Sequence, residues 1–125
     1  MAAIEYPISA DVSKTPLPFS PATKVGNLIF VSGQASTDAN GVVVSDSFES
    51  EFRRTMANLE RILAACGSSL SKVARVNAYL KNTEDWDEYN RLYREYFKPP
   101  FPARTTITKC LGKVLFEIDV IAVSE

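Results

Sequence analysis

The stretch FPARTTITKCLGKVLFEIDVIAV, residues 101–123, decides how the chain folds. Its second half alternates strictly. Val114, Phe116, Ile118, Val120 and Ala122 fall on one face, all apolar, and must be core. Leu115, Glu117, Asp119 and Ile121 fall on the other, which mixes acids with apolar side chains and suits either a solvated face or a second interface. The first half, residues 103–110, reads as a strand that begins directly after a proline. Pro102 biases Phe101 to an extended backbone, so Arg104 follows a rigid lead-in. Leu111-Gly112-Lys113 reads as a tight connection between the two strands. One strand thus carries a cation at its head and the next a carboxylate in its interior. Burying an unpaired charge is costly. Either Arg104 and Glu117 sit at a surface for ordinary reasons, or they face a site that needs them.

Working back from this stretch, Lys98-Pro99-Pro100 stops a helix whose apolar face is Trp86, Tyr89, Tyr93, Tyr96 and Phe97, with Thr83 offering a cap. VARVNAYL, residues 73–80, alternates and reads as a strand. Before it, Phe48, Phe52, Met56, Leu59, Leu63 and Cys66 recur at spacings of three and four, widened by Ile62. Glu51, Arg53, Arg54, Glu60 and Arg61 lie mainly off that stripe, so an amphipathic helix runs from a cap at Asp46 or Ser47 to Gly67. TDANG, residues 37–41, is a turn. NLIFVSG holds a continuous apolar run that suits a strand covered on both faces and ends at Ser32-Gly33. Gly26-Asn27 would turn it back on residues 22–25 as a hairpin. Residues 1–22 are rich in proline and read as a short edge strand at 3–8 followed by a loop. Hairpin, helix, strand, helix and two strands make an α+β domain spanning residues 1–125, a mixed sheet with two helices on one face.

Composition excludes several kinds of chemistry. The chain has 125 residues, 46% of them hydrophobic and 23% charged, and a net charge of −1. That balance gives no reason to expect nucleic acid or an anionic membrane as partner. No apolar run is long enough to span a membrane, and the N-terminus lacks a secretory pattern, so a cytoplasmic protein is expected. There is no histidine, which removes a histidine general base, a Ser-His-Asp triad and a His-ligated metal. Cys66 and Cys110 are too few and too far apart for a metal site and read as reduced thiols. Any reaction must use Arg, Lys, carboxylates, hydroxyls, backbone amides and water, with no metal or organic cofactor.

Each candidate residue has an ordinary reading beside the functional one. Arg104 can grip a carboxylate through two parallel hydrogen bonds, or stand solvated at a strand end. Glu117 can hold a water near an electrophile as general base, or be a solvated strand acid. Ser32 and Gly33 can offer two free amides to an oxyanion, or make a turn. Trp86 and Tyr89 can wall a ligand or fill the core. Asn90 adjoins them.

Together these segments resemble the reactive-intermediate deaminase family of the RidA/YjgF type. FPARTTITKCLGKVLFEIDVIAV resembles its C-terminal signature, LPFSPATKVGNLIFVSGQ its N-terminal segment and EYNRLYREYF its second helix, in register over nearly the whole chain. The resemblance implies a chorismate-mutase-like α+β fold assembled as a homotrimer, with the sheets inside and a cleft at each subunit interface. It implies cofactor-free hydrolysis of small carboxylate enamines and imines to 2-keto acids and ammonia. Arg104 corresponds to the arginine that binds the substrate carboxylate and Glu117 to the glutamate associated with the attacking water. Gly33 and the amide of Thr106 correspond to backbone contacts, and Asn90 to a cleft residue; Phe19, Ser32 and Trp86 complete the expected substrate contacts. Phe19 stands where the family often has tyrosine, Thr106 where many members have cysteine, and Pro21 where glutamine is usual. The changed wall admits a different imine, such as that of an aminomuconate-type deaminase. A non-catalytic module for small carboxylates and a ribonuclease are the other classes open to the sequence.

Overall fold

Phe116, Ile118, Val120 and Ala122 are all buried, and their burial sets the layout of the molecule. The computed structural model describes residues 3–7, 12 and 15–124. Its strands are β1 (Ile4–Glu5), β2 (Ala22–Val25), β3 (Leu28–Ala35), β4 (Val73–Leu80), β5 (Ala103–Ile107) and β6 (Phe116–Val123), and its α-helices are α1 (Phe48–Ala65) and α2 (Trp86–Tyr96). They form one six-stranded sheet in the order β1-β2-β3-β6-β4-β5. Neighbours are antiparallel except β4 and β5, which run parallel with α2 as their crossover. The expected α+β class, a mixed sheet with both helices on one face, holds. The edge strand covers only Ile4 and Glu5 of the expected 3–8, and Ile8 lies outside the described residues.

The helices sit where their stripes demand. Ser47 caps α1: its backbone is extended and its hydroxyl accepts from the Ser50 amide at 3.2 Å. At the other end Ser68 N donates to Leu63 O at 2.8 Å and Gly67 N to Ala64 O at 3.1 Å, with Gly67 at φ +75°, the left-handed conformation glycine adopts without strain. Phe48, Phe52, Met56, Leu59, Leu63 and Cys66 are buried against the sheet, as their spacing requires. The Phe52 ring stacks on Phe116 at 4.5 Å, and Tyr89 of α2 meets Phe116 at 5.9 Å, so both helices share the inner face of β6.

Four departures from the sequence reading bear on the site. First, β5 and β6 are not a hairpin. β4 lies between them, so residues 108–115 cross the end of β4, where Lys81 N donates to Leu115 O at 3.1 Å; the left-handed residues of this crossing are Lys109 and Leu111. The strands are correspondingly shorter than expected, ending at Ile107 and starting at Phe116. Second, β3 does not end at Ser32-Gly33. Its pairing with β6 shifts by one residue between Val31 and Gln34, a β-bulge, and continues to Ala35. Third, β3 is covered on one face only: Ile29 and Val31 are buried, while Leu28 is 43% and Phe30 39% exposed. Fourth, Glu51 is fully buried. Its Oε1 accepts from Leu115 N at 2.9 Å and its Oε2 from Asp46 N at 3.0 Å. Those backbone donors, with the Ser45 hydroxyl at 3.3 Å from Oε2, satisfy its oxygens in place of solvent.

Candidate functional site

The register of β5 decides where Arg104 points. Arg104 pairs with Val76 and Thr106 with Ala78, and both partners are buried under the helices. Laterally paired residues share a face, so Arg104 and Thr106 point towards α2. There the Arg104 Cζ lies 4.7 Å from the ring centre of Tyr93, 4.9 Å from Tyr89 and 5.9 Å from Trp86. The guanidinium sits in an aromatic cage and has no acid within 4 Å among the described residues. Tyr89 and Thr106 share a hydroxyl hydrogen bond of 2.7 Å, which ties α2 to β5 beside the cation. Burial pushes the Tyr89 hydroxyl up, opposed by its bond to Thr106 and by Arg104. Tyr93 is pushed up to about 12, mainly by burial, and its hydroxyl has no hydrogen-bond partner. Asn90, Tyr93, Arg94, Phe101, Pro102 and Arg104 line an open cleft of about 170 Å³.

Glu117 lies on the other face. It pairs with Tyr79 on β4 and Ala35 on β3, out of phase with the buried Phe116 and Ile118. Burial, with Asp119 adding, holds its carboxyl above the usual carboxylate range. Asp119 itself accepts from Asn77 Nδ2 and Tyr79 OH, each at 2.9 Å. The bulge brings Gly33 against Glu117 so closely that a Cβ there would sit 2.5 Å from Glu117 Oε2. Of the two readings of Ser32, the free amide fails: it donates to Pro21 O at 2.9 Å, and the Ser32 hydroxyl donates to Ser20 O at 2.6 Å. Phe19 precedes that anchor and is 48% exposed.

The expected site residues therefore form two groups. Arg104, Thr106, Asn90 and Trp86 gather between β5 and α2. Glu117, Gly33 and Ser32 gather on the outer face. One chain does not bring Arg104 and Glu117 together, because β4 separates their strands and their side chains leave opposite faces. Sequence reading missed Tyr89 and Tyr93 as partners of Arg104; their place on the same helical stripe as Trp86 was the available signal. It also missed the bulge, which a strand-internal Ser-Gly announces. Among the described residues no three His, Cys, Asp or Glu converge as metal ligands would, and no helix is long and apolar enough to cross a membrane.

Three comparisons bear on this arrangement. The family model described as Endoribonuclease L-PSP matches residues 12–124. A RutC family protein of Pyrococcus abyssi is 38% identical over 111 residues, 86% of this chain and 87% of its own length. A protein of Dermatophagoides farinae named 2-iminobutanoate/2-iminopropanoate deaminase is 31% identical over 102 residues, 80% of each chain. The crystal structure of the yeast protein YEO7 matches with a TM-score of 0.90 at 30% identity, covering 98% of this chain and 100% of that one. A match along nearly the whole chain, joined to the same sheet and helices, makes this chain a member of the Endoribonuclease L-PSP family, the RidA/YjgF proteins.

Proposed function

We propose that the chain is a cofactor-independent deaminase that hydrolyses small carboxylate enamines and imines to 2-keto acids and ammonia. The observation that carries this reading is the Arg104 guanidinium, caged by rings, without an acid partner among the described residues and lining a cleft. A cation so placed is set to take a carboxylate in a two-pronged bond. The relative named as an imine deaminase supports the same chemistry.

The reaction needs no metal or covalent nucleophile, because an iminium carbon is already electrophilic. Arg104 fixes the substrate carboxylate. Water adds to the C=N carbon as Glu117 accepts its proton, giving a carbinolamine. That proton then passes to the amine, the C–N bond breaks, and the keto acid and an ammonium ion leave. A carboxyl held above its usual range is a stronger base, once ionised, than a solvated one. Phe19, Ser32, Gly33, Trp86, Asn90 and Thr106 are the proposed contacts around the substrate.

Since Arg104 and Glu117 leave opposite faces of one sheet, the proposed site takes them from two copies of the chain. A homotrimer with the outer sheet faces inside supplies that pairing, and it covers Leu28 and Phe30. The cytoplasm is the proposed compartment, in keeping with two free cysteines. The test is ammonia release from 2-iminopropanoate generated in place, with Arg104→Ala as control. Turnover equal in the parent and the variant would refute the assignment.

A further inference from the structure

The cleft that holds Arg104 contains a second cation. Arg53, Arg54 and Arg91 are each within 4 Å of a carboxylate. Among the described residues Arg61, Arg75, Arg94 and Arg104 have no such partner; Arg61 bonds Asn58 and Arg75 bonds Thr105, while Arg94 and Arg104 line the same cleft. Arg94 Nη1 donates only to the Asn90 carbonyl, at a long 3.4 Å. The remaining lining residues, Asn90, Tyr93, Phe101 and Pro102, include no acid. Two guanidiniums without an acid partner among the described residues, around one space, call for a ligand with more acceptor oxygens than a single carboxylate has.

Resting on the reading that Arg104 holds the substrate carboxylate, we propose that Arg94 binds a second carboxylate, so that the substrates are small dicarboxylic 2-imino acids. The cleft, about 170 Å³ and open to solvent, has room for a short diacid. Arg94 is exposed, so its contribution is screened by water and salt and is smaller than that of Arg104.

Calorimetric titration with stable 2-keto acids tests the assignment without depending on turnover. At low salt, 2-oxoglutarate should bind roughly 3- to 10-fold more tightly than 2-oxopentanoate, a monoacid of the same chain length. The ratio should shrink as salt rises and fall to near one in Arg94→Gln, while Arg104→Ala weakens both ligands. Equal binding by the parent, binding of neither ligand, or a ratio unchanged in Arg94→Gln would overturn the proposal. Ammonia release from imines made in place from aspartate and from alanine runs in parallel. If both imines are left intact, the deaminase reading fails, while the calorimetric ratio still decides whether the cleft prefers a diacid.

Discussion

Arg104 depends on its rings for orientation. A planar guanidinium packs against Tyr89 and Tyr93 and can still offer a carboxylate two parallel donors; an ammonium has no such fork. Arg104→Ala should lower kcat/KM by roughly 10- to 100-fold, the equivalent of one charge-assisted bond, and Arg104→Lys should recover little of it. Glu117 carries a pH dependence of two opposite signs. Burial, with Asp119 adding, makes its carboxyl harder to ionise in the folded chain than in the unfolded one. The folded state then holds the proton more tightly, so stability falls as pH rises from the ordinary carboxylate range through the raised value. Glu117→Gln should melt above the parent at pH 7 and level with it below about pH 4. Turnover should move the other way: kcat/KM rises through that interval as the base ionises, and the variant should show no such rise. Gly33→Ala tests the same carboxylate from the other side. Its Cβ would meet the mobile end of Glu117, so the fold should survive while the carboxylate shifts. A displacement of that kind should lower kcat by up to about 100-fold with little change in Tm.

Among the elements, α1 was the most legible in sequence, because its stripe, its Ser47 cap and its Gly67 terminus all agree. β6 was legible for the same reason: its alternation has one purely apolar phase, and that phase is the core. Glu51 was not, because periodicity counts a carboxylate as surface and cannot see the backbone donors waiting for it. Those donors, Leu115 N and Asp46 N, pin the start of α1 to the lead-in of β6. Glu51→Ala should strand both and cost about 2–4 kcal/mol by chemical denaturation, while Glu51→Gln should cost less because one oxygen remains. Strand order was hidden too. Leu111-Gly112-Lys113 looks like a hairpin connection, yet its length also allows a crossing over the end of β4, and only long-range pairing chooses between them. The candidate site was half legible. Arg104 and Glu117 stand out as charges in strands, but which face each leaves by depends on the register of β5 against β4, which no local pattern carries.

At the scale of the molecule, the outer sheet face leaves Leu28, Phe30 and Ile107 exposed beside half-buried acids. The proposed assembly predicts three times the monomer mass by light scattering. Phe30→Asp should yield folded monomers, judged by circular dichroism, that have lost turnover because Arg104 and Glu117 no longer meet. The position of β6 has a further consequence, for the timing of folding during synthesis. β6 lies between β3 and β4, yet the chain makes it after both. Until it arrives, β3 and β4 have no strand to pair with on their facing edges, and the apolar faces of α1 and α2 have no Phe116, Ile118 or Val120 to close on. Pairing at such separation along the chain is slow, and unpaired edges invite association. A nascent chain stopped after β5 should therefore hold its helices in a loose, protease-sensitive state, and protection should appear in a single step once β6 has been made.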